Sequence, residues 1–179
     1  TELILFGGLF IVYAIYRFQN TEEFHLAAHE LDTFVGTVNT IILLTSSLTV
    51  ALSINAIRAG KKVLSAVFVG LTVVFALAFL VNKFFEWAHK FEHGIYPGSP
   101  ELINKPGGEI LYFALYFVMT GLHALHVIIG MVILLVMLAM ILRGSINKGS
   151  YVRLEAGGLY WHLVDVIWIF LFPLFYLLH

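Results

Sequence analysis

The chain contains no cysteine. Disulfides, thiolate metal sites and iron–sulfur ligation are therefore excluded. Charge is scarce: Asp, Glu, Lys and Arg make up 12% of the 179 residues, about half of the roughly 25% usual in soluble domains. The net charge is −1, so no basic excess offers itself to nucleic acid. The chain has no Gly-rich phosphate loop, no dinucleotide fingerprint and no recognisable Ser–His–Asp order. Proline occurs four times, three of them between positions 96 and 108. No internal repeat and no second domain are apparent, so residues 1–179 are expected to form a single transmembrane domain.

What remains is apolar. Hydrophobic residues make up 60% of the chain, and the mean hydropathy is +0.94. Too few polar residues exist to cover the outside of a soluble fold. An all-α, polytopic membrane protein is expected. Five apolar segments carry it, at about 3–18, 34–57, 63–88, 110–142 and 160–178. A span needs about 20 apolar residues at 1.5 Å rise each. The first is short for that; the fourth would reach about 50 Å and must tilt or project. Tyr13, Tyr16, Trp87, Tyr96, Tyr160 and Trp161 fringe the segment ends, as aromatics do at membrane interfaces.

The chain opens on Thr1, without Met, and the apolar run starts at once. No charged region or small-residue cleavage site precedes it, so it is not a signal-peptide pattern. The expectation is a sequence that begins inside its first helix. Between spans, Thr21-Glu-Glu-Phe-His is a helix-start pattern and predicts a short interfacial helix. The Pro-rich stretch from Tyr96 to Gly108 predicts a loop. The connections at 58–62 and 143–159 carry Arg58, Lys61, Lys62, Arg143, Lys148 and Arg153. Those at 17–33 and 83–109 carry Arg17, Lys83, Lys90 and Lys105. The positive-inside rule then places the N-terminus in the cytoplasm and the C-terminus outside.

Polar residues inside the spans are the candidate functional residues, because a carboxylate in lipid costs at least about 2.5–3.5 kcal/mol. His123 and His126 are three apart and share one helix face. They read as a metal or haem site, or as hydrogen-bond partners of neighbouring helices or of a lipid headgroup. Trp161, Asp165 and Trp168 form one helix stripe, and His162, one turn before Asp165, could pair with it. The two read as a proton relay or as a polar lock between helices; no continuous chain of titratable groups supports the relay. Glu2 is either deep in the bilayer or a terminal carboxylate in water. Outside the spans, His25 with His29, and His89 with His93 beside Glu92, have a zinc-like spacing. The HExxH order is missing, and wet loop histidines are ordinarily just polar.

Several of these runs resemble subunit III of haem–copper terminal oxidases. Glu155-Ala-Gly-Gly-Leu-Tyr-Trp-His-Leu-Val-Asp-Val-Ile-Trp168 is similar to that family's signature Tyr-Trp-His-x-Val-Asp-Val-x-Trp after a Glu-Ala. Thr120-Gly-Leu-His-Ala-Leu-His-Val-Ile-Ile-Gly130 is similar to its Thr-Gly-Phe-His-Gly-x-His-Val-x-x-Gly. Asn39-Thr-Ile-Ile-Leu-Leu-Thr-Ser-Ser47, Thr1-Glu-Leu-Ile-Leu-Phe and Glu86-Trp87 also match in order. The resemblance implies five helices of a seven-helix, V-shaped subunit with a lipid cleft. It implies a non-catalytic role: packing against subunit I, supporting proton uptake and slowing inactivation. Subunit II and other respiratory-complex subunits would be further partners, and haem and copper would lie in the partner subunits, none in this chain. By position, Glu2, His126 and Arg143 would meet phospholipid, and His123, His162, Asp165, Glu86 and Glu155 would be structural. A bacterial inner (plasma) membrane follows.

The chain departs from the pattern at Ile54-Asn55, where many members have His-His, and in a longer Pro-rich loop. Quinol oxidase subunits III and the small accessory proteins of nitric oxide reductases are similar too. A self-sufficient transporter using His123, His126, His162 and Asp165, or a small membrane haem protein, are readings of a different class.

Overall fold

The computed structural model describes residues 2–178. Among them lie seven helices and no strand: α1 (Glu2–Gln19), α2 (Thr21–Ala28), α3 (Thr33–Arg58), α4 (Lys62–Glu92), α5 (Pro100–Ile103), α6 (Gly107–Leu142) and α7 (Val152–Tyr176). Five are long and apolar enough to cross a membrane: α1, α3, α4, α6 and α7. In lipid every backbone polar group must be satisfied within the chain, which is why apolar segments of this length fold as helices. The protein is a multi-pass membrane protein.

Local signals set the boundaries. Asp32 caps α3, its carboxylate accepting from Phe34 N at 2.9 Å and Val35 N at 3.3 Å. Gly60 stops α3 by taking a φ of 76°, a conformation that costs glycine little. Lys61 N then reaches back to Ala56 O at 2.9 Å. The expected interfacial helix is α2. The expected loop after Tyr96 contains one helical turn, α5, because Pro100 is preset for a first helical position and Ser99 Oγ accepts from Leu102 N at 3.1 Å.

Two spans are longer than hydropathy indicates. α4 runs on to Glu92, so Lys90 belongs to the helix as Lys83 does, although both were counted with the connection. α7 begins at Val152, because the polar-looking stretch before Tyr160 is amphipathic: Leu154 is buried while Glu155 meets Arg58. α6, at 36 residues, extends about 54 Å against a hydrocarbon core of about 30 Å. Its first turns project into a cap made with α2 and α5. There the carboxylate of Glu23 accepts from Gly108 N, meeting an orphan helix N–H.

α3, α4, α6 and α7 form a ring in which each packs on two others, and α1 leans on α6 from outside. A groove of about 640 Å³ opens between α1 and α7, lined by Phe10, Ala14, Phe18, Phe170 and Leu174 with Arg17 at its rim. The ring core is aromatic: Phe79, Tyr112, Tyr116, Trp161, Trp168, Phe175 and Tyr176 are fully buried. Outward faces carry Ile4, Ile11, Phe34, Val63, Val74, Phe84 and Val132, as lipid contact requires.

Candidate functional site: polar contacts inside the bundle

Between helices in lipid there is no hydrophobic drive; close packing and hydrogen bonds hold them. The polar side chains of this chain sit where that rule needs them. One face of α3 carries hydroxyls, and α7 turns its polar stripe onto it. Trp168 Nε1 donates to Thr40 Oγ1 at 3.0 Å, Trp161 Nε1 donates to Ser46 Oγ at 3.0 Å, and Ser47 Oγ lies 2.6 Å from His162 Nδ1. The side of α3 toward α4 repeats the device. Thr49 and Thr72 hydroxyls are 2.7 Å apart, those of Ser53 and Ser65 2.9 Å, and Asn82 Nδ2 donates to Asn39 Oδ1 at 3.0 Å.

His162 and Asp165 do not pair with each other, contrary to the sequence expectation. The His162 ring is turned to α3, where the Ser47 hydroxyl takes it. Asp165 is 3% exposed and neither of its carboxyl oxygens has a hydrogen-bond partner. Ser47 is the polar side chain that interacts with it, outside hydrogen-bonding geometry. His123 is fully buried and both its ring nitrogens lack partners. It lies between rings instead, 5.7 Å from Phe79 edge-on and 5.3 Å from Trp168.

Glu86 is surrounded by donors. Tyr116 and Tyr176 hydroxyls each donate to Oε1 at 2.5 Å, and Lys83 Nζ donates to Oε2 at 3.0 Å. Lys83 Nζ also bonds both tyrosine oxygens. It stands 5.0–5.1 Å from the ring centroids of Tyr116, Tyr176 and Trp168, a cation–π arrangement. A buried pair thus joins α4 to α6 and α7. Sequence reading singled out Glu86 but took Lys83 for a loop cation. The i,i+3 spacing of Lys83 and Glu86 on a continuing apolar run was the signal that could have found it.

The end of α7 is a second missed feature. Pro173 lies in its last turn, and the final helical carbonyls have no partner within the helix. Three other spans supply hydroxyls. Tyr13 of α1 donates to Leu174 O, Tyr112 of α6 donates to Phe175 O at 2.6 Å, and Thr33 of α3 donates to Tyr176 O at 3.1 Å.

Glu2 and His126, expected separately at lipid, meet each other: Oε2 lies 2.7 Å from Nε2. The other ring nitrogen of His126 is 2.7 Å from Leu122 O. His126 stands near the midpoint of α6, so Glu2 is level with the middle of that helix and not with its end. The Glu2 side chain keeps 33% of its surface exposed. Arg143 is exposed just beyond α6, about 25 Å further along the axis by the helix rise, so it cannot share a headgroup with Glu2. Glu155 forms an ion pair with Arg58, tying α7 to α3.

At the opposite end, Lys105 pairs with Glu30 and, at 3.1 Å, with Glu109. Partial burial pulls its pKa down, but the two carboxylates outweigh that and hold it above the ordinary lysine value. The rings of His89 and His93 are tilted against each other with centroids 4.2 Å apart, and His93 Nδ1 lies 2.8 Å from His89 O. Among the described residues no three His, Asp or Glu side chains converge as a metal site would require.

Similarity to known proteins runs over nearly the whole chain. The family model for cytochrome c oxidase subunit III matches residues 2–179. A cytochrome c oxidase subunit 3 from Synechocystis is 33% identical over 178 residues, covering 99% of this chain and 71% of the relative. A probable quinol oxidase subunit 3 from Staphylococcus saprophyticus is 27% identical, covering 99% and 83%. A haem–copper oxidase subunit I+III from Aeropyrum pernix is 29% identical; the match takes 99% of this chain but spans only 21% of that longer protein.

Proposed function

Because the chain belongs to the cytochrome c oxidase subunit III family, we propose that it is the non-catalytic third subunit of a bacterial respiratory haem–copper oxidase. It stabilises subunit I and supports proton uptake, while electron transfer and oxygen chemistry stay with the haem and copper of partner subunits. One observation carries this reading: among the described residues, the polar side chains inside the bundle tie one helix to another, as Ser47 with His162, Ser46 with Trp161 and Glu86 with Lys83, Tyr116 and Tyr176 do. His162, Glu86 and Glu155 act as locks between helices; Asp165 on α7 and His123 on α6 are buried between helices without closing a pair. The fused I+III relative supports direct packing on subunit I, since the two are one chain there.

The orientation follows the positive-inside rule, with the N-terminus cytoplasmic. Burial of Lys83 and Lys90 within α4 sharpens the asymmetry, because of the four cations first counted on the outer side only Arg17 and Lys105 stay outside the ring. Phospholipid would meet Glu2 first, with His126 behind it holding the carboxylate; Arg143 would serve a separate headgroup. The relative from Staphylococcus keeps a second reading open, in which the donor is a quinol and not cytochrome c.

Affinity purification of the tagged chain from mild detergent, followed by mass spectrometry, tests the assignment. A haem–copper subunit I is expected in equal amount, and the companion subunit II, of cytochrome c or quinol type, names the donor. Recovery of the chain without any haem–copper subunit would refute it.

A further inference from the structure

The end of the bundle that carries the α3–α4 and α6–α7 connections is cationic and has almost no counter-charge. Arg58, Lys61, Lys62, Arg143, Lys148 and Arg153 lie there, against one carboxylate, Glu155. Arg58 already occupies that carboxylate. The two connections touch: Lys62 Nζ donates to Leu142 O at 2.9 Å, and the Lys148 side chain packs over Gly60. This holds Lys62 and Lys148 at the same end as Lys61, which is exposed and has no ion pair among the described residues. Directly below, at the start of α4, runs a groove of about 570 Å³ lined by Gly60, Lys61, Lys62, Val63, Leu64 and Val67. Val63 is 78% exposed and Val67 52%, an apolar wall that continues down the lipid-facing side of the helix.

We propose that this groove docks an anionic phospholipid, its phosphate-bearing headgroup held by Lys61 and Lys62 and one acyl chain lying along Val63, Leu64 and Val67. Charge decides the occupant. Several cations without counter-ions lie above an apolar wall, and a membrane lipid is the molecule that brings a phosphate and a hydrocarbon chain at that spacing. A zwitterionic lipid would bring the chain but return an ammonium to the lysines. Each basic side chain near an anionic membrane surface contributes about 1 kcal/mol, so two give about a thirtyfold preference and one about fivefold. The site is separate from the Glu2–His126 pair, and it does not depend on which partner subunits the chain has.

The test uses the complex purified with this chain, placed in bilayers containing photoactivatable phosphatidylglycerol or phosphatidylcholine at equal mole fraction. Cross-linked peptides are located by mass spectrometry. Phosphatidylglycerol is expected to label the Val63–Val67 segment about thirtyfold more than phosphatidylcholine, with the preference falling as salt rises. Lys61→Gln should reduce it about fivefold and Lys61→Gln with Lys62→Gln should abolish it. Lys62 also holds Leu142 O, so if the double variant fails to assemble, Lys61→Gln and the wild-type ratio decide. Equal labelling by the two lipids, undiminished labelling in Lys61→Gln, or cross-links from this segment to another subunit in place of lipid would each overturn the proposal.

Discussion

Glu86 and Asp165 are both acids inside the bundle, and the chain treats them in opposite ways. Glu86 receives two tyrosine hydroxyls and a lysine, so its charge is balanced and its oxygens are satisfied. Asp165, across the ring on α7, receives no hydrogen bond. The lesson is that family-like signature and energetic weight are separate things. The Asp165 stripe contributes through Trp161, His162 and Trp168, which reach three hydroxyls of α3. Glu86 contributes directly, as the anion of a pair in which either partner alone would be stranded.

The largest effect should therefore come from Lys83→Met, which leaves the Glu86 carboxylate buried without its cation. Breaking a buried pair from one side costs about 3–5 kcal/mol, read as lost assembly or a lowered melting temperature of the purified complex. Adding Glu86→Gln should recover much of that loss; an additive double variant would break the contrast with Asp165. Next comes Gly130→Ala. Its new Cβ would stand 2.8 Å from Trp161 Cε3, and overpacking of this kind costs about 1–3 kcal/mol. Trp161→Phe keeps the ring contact but removes the donor to Ser46, for about 1 kcal/mol.

Asp165→Asn should cost less than any of these, because neither an ion pair nor a hydrogen bond is lost. Asp165→Leu should weaken assembly more than it alters proton stoichiometry. A drop from Asp165→Asn as large as that from Lys83→Met would reverse the comparison. The smallest effect is alkaline. Lys105 has a raised pKa in the fold, so its stabilisation is complete below the ordinary lysine value of about 10.4 and fades as pH climbs through the higher folded value. Melting curves of the complex above that pH should flatten in Lys105→Met.

Much of this was legible in the sequence. Five apolar runs and a Pro-rich gap locate the five spans to within a few residues at most ends. The stripe of Trp161, Asp165 and Trp168 announces a helix face with a partner. The partner itself was hidden, because α3 carries six Ser and Thr residues between Thr33 and Ser47 and only the packing angle selects Thr40, Ser46 and Ser47. Lys83 was counted with the outer connection because charges gather from there on, although it lies inside the expected span; α4 runs one turn further, to Glu92, and folds that cation inward. The three hydroxyls that cap α7 come from positions 13, 33 and 112, a coincidence of tertiary structure that no local pattern encodes. Glu2 needed the same information: its level in the membrane is fixed by His126, which is 124 positions away.

The account holds that these polar groups join helices and do not conduct. Its most direct test is proton flux through the purified chain reconstituted alone in vesicles under an imposed pH gradient and potential. Flux no greater than in empty vesicles is predicted, for the native chain and for Asp165→Asn alike. Flux that the native chain carries and Asp165→Asn abolishes would contradict it.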